Sequence, residues 1–268
     1  MDHMIRRATK HALLAVALCA TTGIAVAQPL LPRHPEYERV INLDTYEAGL
    51  LEASGHPNEV ERWHGIWAYD NGRMDEARRH FERAAYYGDK LSQHVLSLMC
   101  WNGDGGARDP VQAYIWADLA AERGNIADLL QVRERIWSQL TPSQQEQALD
   151  DGLAFYRRYG DAAAMPRTNR ELRRFLRNRT GSRVGLVTSR VSISLGRPDV
   201  FQAAGGGARL TPGPHGASGD RFYADARTRP GAYWAAEDLS VRTLLRQIEQ
   251  GQVDVGPVTP AKDSRPAE

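Results

Sequence analysis

Arginines crowd residues 157–190 of this 268-residue chain, and few acids stand among them. The set comprises Arg157, Arg158, Arg167, Arg170, Arg173, Arg174, Arg177, Arg179, Arg183 and Arg190. A guanidinium group pairs bidentately with phosphate or carboxylate, so the segment predicts contact with an anionic partner. We assign partner binding to Arg170, Arg173, Arg174 and Arg177. A solvated segment in which arginine is simply the usual cation explains the same residues, because lysine is scarce throughout the chain.

Aromatic residues interleave with the arginines at Tyr156, Tyr159 and Phe175, a pattern that nucleic-acid-binding surfaces share. The formal net charge is only +1, so no overall field attracts nucleic acid. The export signal described below also argues against a nucleic acid partner, and we expect none. For an exported protein, segment 157–190 predicts binding to an anionic envelope polymer, an acidic lipid surface or an acidic face of another protein.

Tyrosines near the helices of the chain's central region are the second set of candidates. Tyr86, Tyr87 and Tyr114 could line a concave groove for a peptide, since tyrosine and tryptophan are enriched at protein interfaces. Phe81 and Trp116 fall on the apolar faces of their helices, so core packing explains these two better.

Signatures of catalysis and of metal binding are missing from the sequence. His56, His64, His80 and His94 lack the paired spacing of a zinc motif, and the glycines at 205–207 lack the lysine of a phosphate loop. The Gly-x-Ser-x-Gly and Ser-x-x-Lys motifs do not occur. We therefore predict no catalytic residue, no metal and no cofactor. An enzyme, or the regulatory subunit of one, is the reading with the least support.

The N-terminal residues match an export signal. Arg6, Arg7 and Lys10 precede an apolar core, and residues 25–27 give the small-x-small pattern of a cleavage site. We predict a signal peptide over 1–27, cleaved after Ala27, and a periplasmic or secreted mature chain without a stable transmembrane segment. An uncleaved anchor is a weaker alternative, because the apolar run is shorter than the roughly 20 residues that span a bilayer.

The chain has two cysteines, Cys19 within the predicted signal peptide and Cys100 in the helical repeat region. Lipid attachment at Cys19 fits poorly, because Leu18 directly before it departs from the usual lipidation signal. After cleavage only Cys100 remains, so no disulfide can form within the chain. Cys100 falls at an apolar helix position, which predicts a buried and inert thiol.

A repeated helical unit must position these residues. The two copies are 36 residues apart and match at Ala77 and Ala113, Ala84 and Ala120, Ala85 and Ala121, and Gly88 and Gly124. A fixed period of this length is typical of stacked repeats, in which each helix pair buries its apolar face against the next. The glycines end helices, and Asp109 followed by Pro110 begins one. This pattern predicts an all-α fold.

The unit resembles a Sel1-like repeat, a family of tetratricopeptide-like helical repeats. The first copy matches the family pattern at Ala77, Ala84, Ala85, Gly88, Leu96, Gly103, Gly105 and Asp109 and departs from it at Ser97, Cys100 and Gly106. The resemblance covers about 45–140, with a degenerate earlier copy over 45–72. It implies an α-solenoid of antiparallel helix pairs with right-handed stacking, a scaffold or adaptor role, and no catalytic residues.

The predicted organisation runs in five parts. A lead-in over 28–35 follows the signal peptide, and the helical repeat domain occupies 36–160. The arginine-rich segment 161–195 holds a short helix at 169–178, capped by Thr168, and a strand at 191–195. Residues 196–268 read as a mostly flexible tail, with a helix signal near 237–250 that includes Leu239, Leu244 and Leu245. The function that this organisation predicts is a non-enzymatic periplasmic scaffold that binds another protein.

Overall fold

The described part of the chain is helical. A computed structural model of the protein describes residues 42–177, 192–193, 217–218 and 222–249. Its first helices are α1 (Leu43–Ala53), α2 (Pro57–Asp70), α3 (Met74–Tyr86), α4 (Lys90–Asn102), α5 (Pro110–Ala121), α6 (Ala127–Trp137), α7 (Pro142–Tyr159) and α8 (Asp161–Arg177). Later come β1 (Ser192–Ile193), β2 (Ala217–Ser218), α9 (Asp225–Thr228) and α10 (Pro230–Glu249). Apart from β1 and β2, which pair antiparallel over two residues each, the all-α class is confirmed for these residues.

Capping residues and prolines fix where several helices begin. Asp89 accepts a hydrogen bond from the Ser92 amide at 2.8 Å, and Asp109 accepts one from the Gln112 amide at 2.9 Å. These carboxylates satisfy N–H groups that have no partner within the helix. Proline occupies the first position of α2, α5 and α7, where its missing N–H costs nothing. The predicted helix start at Asp109 and Pro110 is confirmed.

The repeated alanines form the contact between neighbouring helices. Ala77, Ala84, Ala85, Ala113, Ala120 and Ala121 are all buried, as are Phe81 and Trp116. Each helix from α2 to α5 packs against its neighbours in the sequence, and α5 also packs against α7. A methyl side chain lets two helix backbones approach closely, which explains the alanine pairs. Cys100 is buried as predicted, and burial raises the pKa of its thiol.

Three turns lie along one edge of this body, which we call the turn edge. They are residues 54–56 between α1 and α2, 87–89 between α3 and α4, and 122–126 between α5 and α6. Helix α8 passes them in reverse order. Its contacts are Asp161 to Arg123 at 2.7 Å, the Thr168 hydroxyl to the Tyr87 carbonyl at 2.6 Å, and the Phe175 ring to the His56 ring at 5.0 Å.

Helix α10 passes the same turns in forward order. Its contacts are the Tyr233 hydroxyl to Asn58 at 2.9 Å, Trp234 beside Gly88, and Asp238 to Arg123 at 2.5 Å and to Asn125 at 2.6 Å. Its apolar residues Val241 and Leu245 then join a buried cluster with Leu91, Ile126 and Leu129. The two C-terminal helices therefore brace the turns of successive helix pairs.

The structure corrects the predictions for the C-terminal helices. The helix predicted over 169–178 begins at Asp161, and Thr168 is buried inside it rather than capping it. Pro166 removes one backbone hydrogen bond, but the buried side chains of Ala164, Thr168 and Leu172 hold the helix through that point.

The helix predicted near 237–250 begins at Pro230, within a region expected to be mostly flexible. Its buried face carries Tyr233, Trp234, Val241 and Leu245, whereas Leu239 is exposed. The predicted signal peptide 1–27 and the lead-in 28–35 lie outside the described residues, as does most of segment 196–221. Of the predicted strand at 191–195, the described residues are Ser192–Ile193, which form β1. None of the helices in the described part combines the length and hydropathy needed to cross a bilayer.

Candidate partner-binding surface

A groove lies where the ends of α3 and α7 meet, and we call it the tyrosine groove. Its volume is about 460 Å³. It is lined by Glu61, Arg79, Glu82, Arg83, Tyr86, Tyr87, Arg158 and Tyr159. Two of the three tyrosines predicted to bind a partner, Tyr86 and Tyr87, therefore lie together in one groove. Sequence reasoning had named Tyr159 only as an aromatic residue among the arginines.

Tyr87 and Tyr159 are the half-buried aromatic side chains of this groove. Burial raises the pKa of both phenols, so both stay protonated at neutral pH and can donate hydrogen bonds. The Arg158 guanidinium lies 5.3 Å from the centroid of the Tyr159 ring. An aromatic face beside exposed arginines suits a flat apolar side chain with a polar backbone around it.

Tyr86 is partly covered by an arginine of this chain. The guanidinium carbon of Arg167 lies 3.8 Å from the centroid of the Tyr86 ring, and the same guanidinium donates a hydrogen bond to the Tyr86 carbonyl at 2.5 Å. The Tyr86 ring also meets that of Tyr87 edge to face, with 5.4 Å between centroids. One face of Tyr86 is thus used to attach α8, although the side chain as a whole stays 36% exposed. Tyr87 and Tyr159 are less exposed, and the Tyr159 ring also packs on Trp116 with 4.8 Å between centroids.

The charges in the groove are mixed. Arg79, Arg83 and Arg158 are exposed, whereas Glu61 and Glu82 are partly buried. Glu61 is held by the His80 Nδ1 atom at 2.7 Å and lies 3.8 Å from Arg83. Because both signs are present, the groove is better suited to a neutral or aromatic residue than to an acidic cluster. A sequence signal existed for part of it, since Arg79 and Arg83 are four apart on one face of α3 and Tyr87 directly follows the end of that helix.

The predicted arginines lie on the outer side of α8, and we call Arg170, Arg173, Arg174 and Arg177 the arginine face. All four are exposed, while Ala164, Thr168 and Leu172 on the other side of the helix are buried. Arg174 pairs with Glu171 at 3.0 Å. Arg170, Arg173 and Arg177 form no ion pair with any acidic side chain in the described parts of the chain.

Tyr114, the third predicted tyrosine, lies in a different cluster. Its ring packs on Trp137 with 4.6 Å between centroids. Burial, together with the Asp118 carboxylate, raises the pKa of Tyr114 to about 12. Asp118 in turn accepts a hydrogen bond from the Tyr156 hydroxyl at 2.8 Å. The structure therefore gives Tyr114 a packing role between α5, α6 and α7 and does not bring it to the tyrosine groove.

Histidines near the groove form a polar pair that the sequence did not reveal. The rings of His64 and His80 are 5.1 Å apart, and the Tyr46 hydroxyl lies 2.6 Å from His64 Nδ1. Burial and the neighbouring His80 lower the pKa of His64. His94 is elsewhere, in α4, where burial lowers its pKa to about 4 and keeps it neutral.

Within the described residues, no cluster of three or more histidine, cysteine, aspartate or glutamate side chains could hold a metal ion. No protein-family model, no curated protein and no solved structure matches this chain.

Proposed function

We propose that this protein is a non-enzymatic scaffold of the cell envelope, which holds a partner protein at the tyrosine groove. The observation that carries the proposal is the groove itself, with Tyr87 and Tyr159 half-buried between exposed arginines. Aromatic and arginine side chains of this kind contribute most of the binding energy at protein interfaces.

The packing of the helices supports the same reading. Helix α7 packs on α5 and, over a smaller area, on α3, and α2 and α4 each pack on the helices before and after them. An α-solenoid of Sel1-like helix pairs has this neighbour-by-neighbour contact pattern. Helices α8 and α10 tie the turns of the turn edge together, and a preorganised surface binds with a smaller loss of conformational entropy.

Photo-crosslinking in living cells tests the proposal. A photoreactive phenylalanine at Tyr87 or Arg158 should give a crosslinked partner, because both positions line the groove. The matched control is the same residue at Leu239, which is exposed but lies on α10. Absence of a crosslinked species from both groove positions, in cells where the protein folds, would contradict a scaffold role at this groove.

A second candidate function is binding to an anionic envelope polymer or lipid surface. The exposed and largely unpaired arginine face favours it. Deleting α8 cannot test this function, because Ala164, Thr168 and Leu172 are part of the core. Neutralising the outer arginines leaves the buried side of α8 intact and is the appropriate change.

A further inference from the structure

The geometry points to a single ligand for both surfaces: one segment of a partner protein that places an aromatic residue in the tyrosine groove and an acidic run on the arginine face. This inference rests on the proposed scaffold function and specifies the chemistry of its partner. It treats the tyrosines and the arginines as one surface rather than as alternatives.

Arg167 connects the two surfaces. Its guanidinium lies on the Tyr86 ring at the rim of the groove, at 3.8 Å from the ring centroid. Arg170 follows three residues later and Arg174 four after that, so these side chains follow each other along one side of α8. A segment that leaves the groove past Tyr86 therefore meets Arg167 and then the arginine face.

The difference in charge between the two surfaces gives the order of the segment. The groove contains Glu61 and Glu82 beside its arginines, and these carboxylates would repel an acidic residue. On the arginine face the one described carboxylate paired with an arginine is Glu171. An aromatic residue thus suits the groove, and carboxylates suit α8, where each can pair with a guanidinium.

The length of α8 sets the length of the acidic run. Arg167 and Arg177 are ten positions apart, which corresponds to about 15 Å of helix. An extended chain covers that distance with about five residues. The partner segment is therefore short: one aromatic residue, a spacer of one or two residues, and about five residues rich in glutamate or aspartate.

A membrane surface fits these observations less well. A layer of anionic headgroups could contact Arg170, Arg173 and Arg177, which project from the outer side of a helix. It could not reach the half-buried rings of Tyr87 and Tyr159. An acidic polypeptide uses both surfaces, so we take it as the occupant and treat the membrane as an outcome of the test.

The experiment measures binding of a fluorescein-labelled peptide, with one phenylalanine, a glycine spacer and five glutamates, to the purified full chain by fluorescence anisotropy. Replacing the phenylalanine by alanine, or the glutamates by glutamine, should weaken binding at least fivefold in each case. Raising the salt concentration from 50 to 500 mM should weaken binding of the acidic peptide more than tenfold, because exposed charges are screened. The glutamine peptide should show little change with salt.

Two variants that each remove two positive charges test whether the acidic residues of the peptide bind to the arginine face. Replacing Arg170 and Arg177 together (Arg170→Gln with Arg177→Gln) should weaken binding of the acidic peptide about tenfold. Binding of the glutamine peptide should stay unchanged. Arg135→Gln with Arg246→Gln removes two exposed arginines on α6 and α10 and should leave the binding of both peptides unchanged. Tyr87→Ala should weaken every peptide that keeps the phenylalanine, while circular dichroism confirms that each variant is folded.

Several results would overturn the inference. One is equal binding of the acidic peptide to the Arg170 and Arg177 variant and to the wild-type chain. Another is co-sedimentation with phosphatidylglycerol vesicles that the acidic peptide does not compete away, which assigns the face to a membrane. If the groove still crosslinks a partner in cells, only the acidic chemistry is wrong. If neither groove position crosslinks, the scaffold function itself fails.

Discussion

The arginines at the turn edge are largely buried and paired with carboxylates, whereas those of the arginine face are exposed. Arg123 is about 10% exposed and contacts Asp161 at 2.7 Å and Asp238 at 2.5 Å. Arg62 is similarly enclosed and lies between Asp89 at 2.7 Å and Glu237 at 2.9 Å. Arg173, on the arginine face, is exposed and pairs with no described carboxylate.

This difference separates cations that hold the fold from cations that are free to bind. A buried ion must be paired, because an unpaired charge in the interior is strongly destabilising. Each of the two turn-edge arginines is therefore matched by two carboxylates: for Arg123 both come from the C-terminal helices α8 and α10, and for Arg62 one comes from α10. An exposed arginine needs no such partner, so folding does not require the arginine face.

The largest expected contrast compares Arg123→Ala with Arg173→Ala. The first change leaves Asp161 and Asp238 largely buried without this cation and should lower the free energy of unfolding by about 3–5 kcal/mol. The second removes an exposed side chain and should change it by less than about 0.5 kcal/mol. Urea denaturation followed by circular dichroism measures both. Equal losses would show that the arginine face also supports the fold.

Two glycines provide a smaller contrast between the turn edge and a turn away from it. Gly55 has φ +85° and Gly72 has φ +73°, so alanine at either position is strained by about 1–2 kcal/mol. A methyl group at Gly55 would also lie 2.1 Å from Phe175 Cδ2 on α8, whereas nothing lies within 4 Å of one at Gly72.

Gly55→Ala should therefore destabilise the protein by about 1–3 kcal/mol more than Gly72→Ala, the usual range for an overpacked contact. Thermal unfolding of the two variants gives the difference. Combining Gly55→Ala with Phe175→Ala should remove most of the excess, measured against Phe175→Ala alone. Equal destabilisation by the two glycine variants would mean that Phe175 of α8 does not pack closely against Gly55.

The repeated body could be predicted from the sequence because its signals are local. Ala77 and Ala84 recur at a fixed offset, and Asp109 stands directly before Pro110, so each observation needs only a short window. The predicted burial of Cys100, Phe81 and Trp116 followed from the same helical period. These features were correct because packing inside a helix pair depends on residues that are close in the chain.

The docking of the C-terminal helices could not be predicted, because its contacts join distant residues. Thr168 and Tyr87 are 81 residues apart, and Tyr233 and Asn58 are 175 apart. The buried side of α8 consists of Ala164, Thr168 and Leu172, which is too small and polar to read as a core stripe. The tyrosine groove was predicted only in part for the same reason, since Tyr159 reaches Tyr87 through the fold.

The smallest expected effect concerns the arginine face itself. Arg170 and Arg173 have further arginines three or four residues away on α8, and each like-charge neighbour destabilises an exposed helix by about 0.2–0.5 kcal/mol. Arg170→Gln with Arg173→Gln should therefore raise the free energy of unfolding by up to about 1 kcal/mol at low salt. In 1 M salt the gain should disappear, because the Debye length falls to about 3 Å. Urea denaturation at the two salt concentrations gives the comparison. A loss of stability at low salt would mean that these arginines have structural partners, and the contrast with the turn edge would then fail.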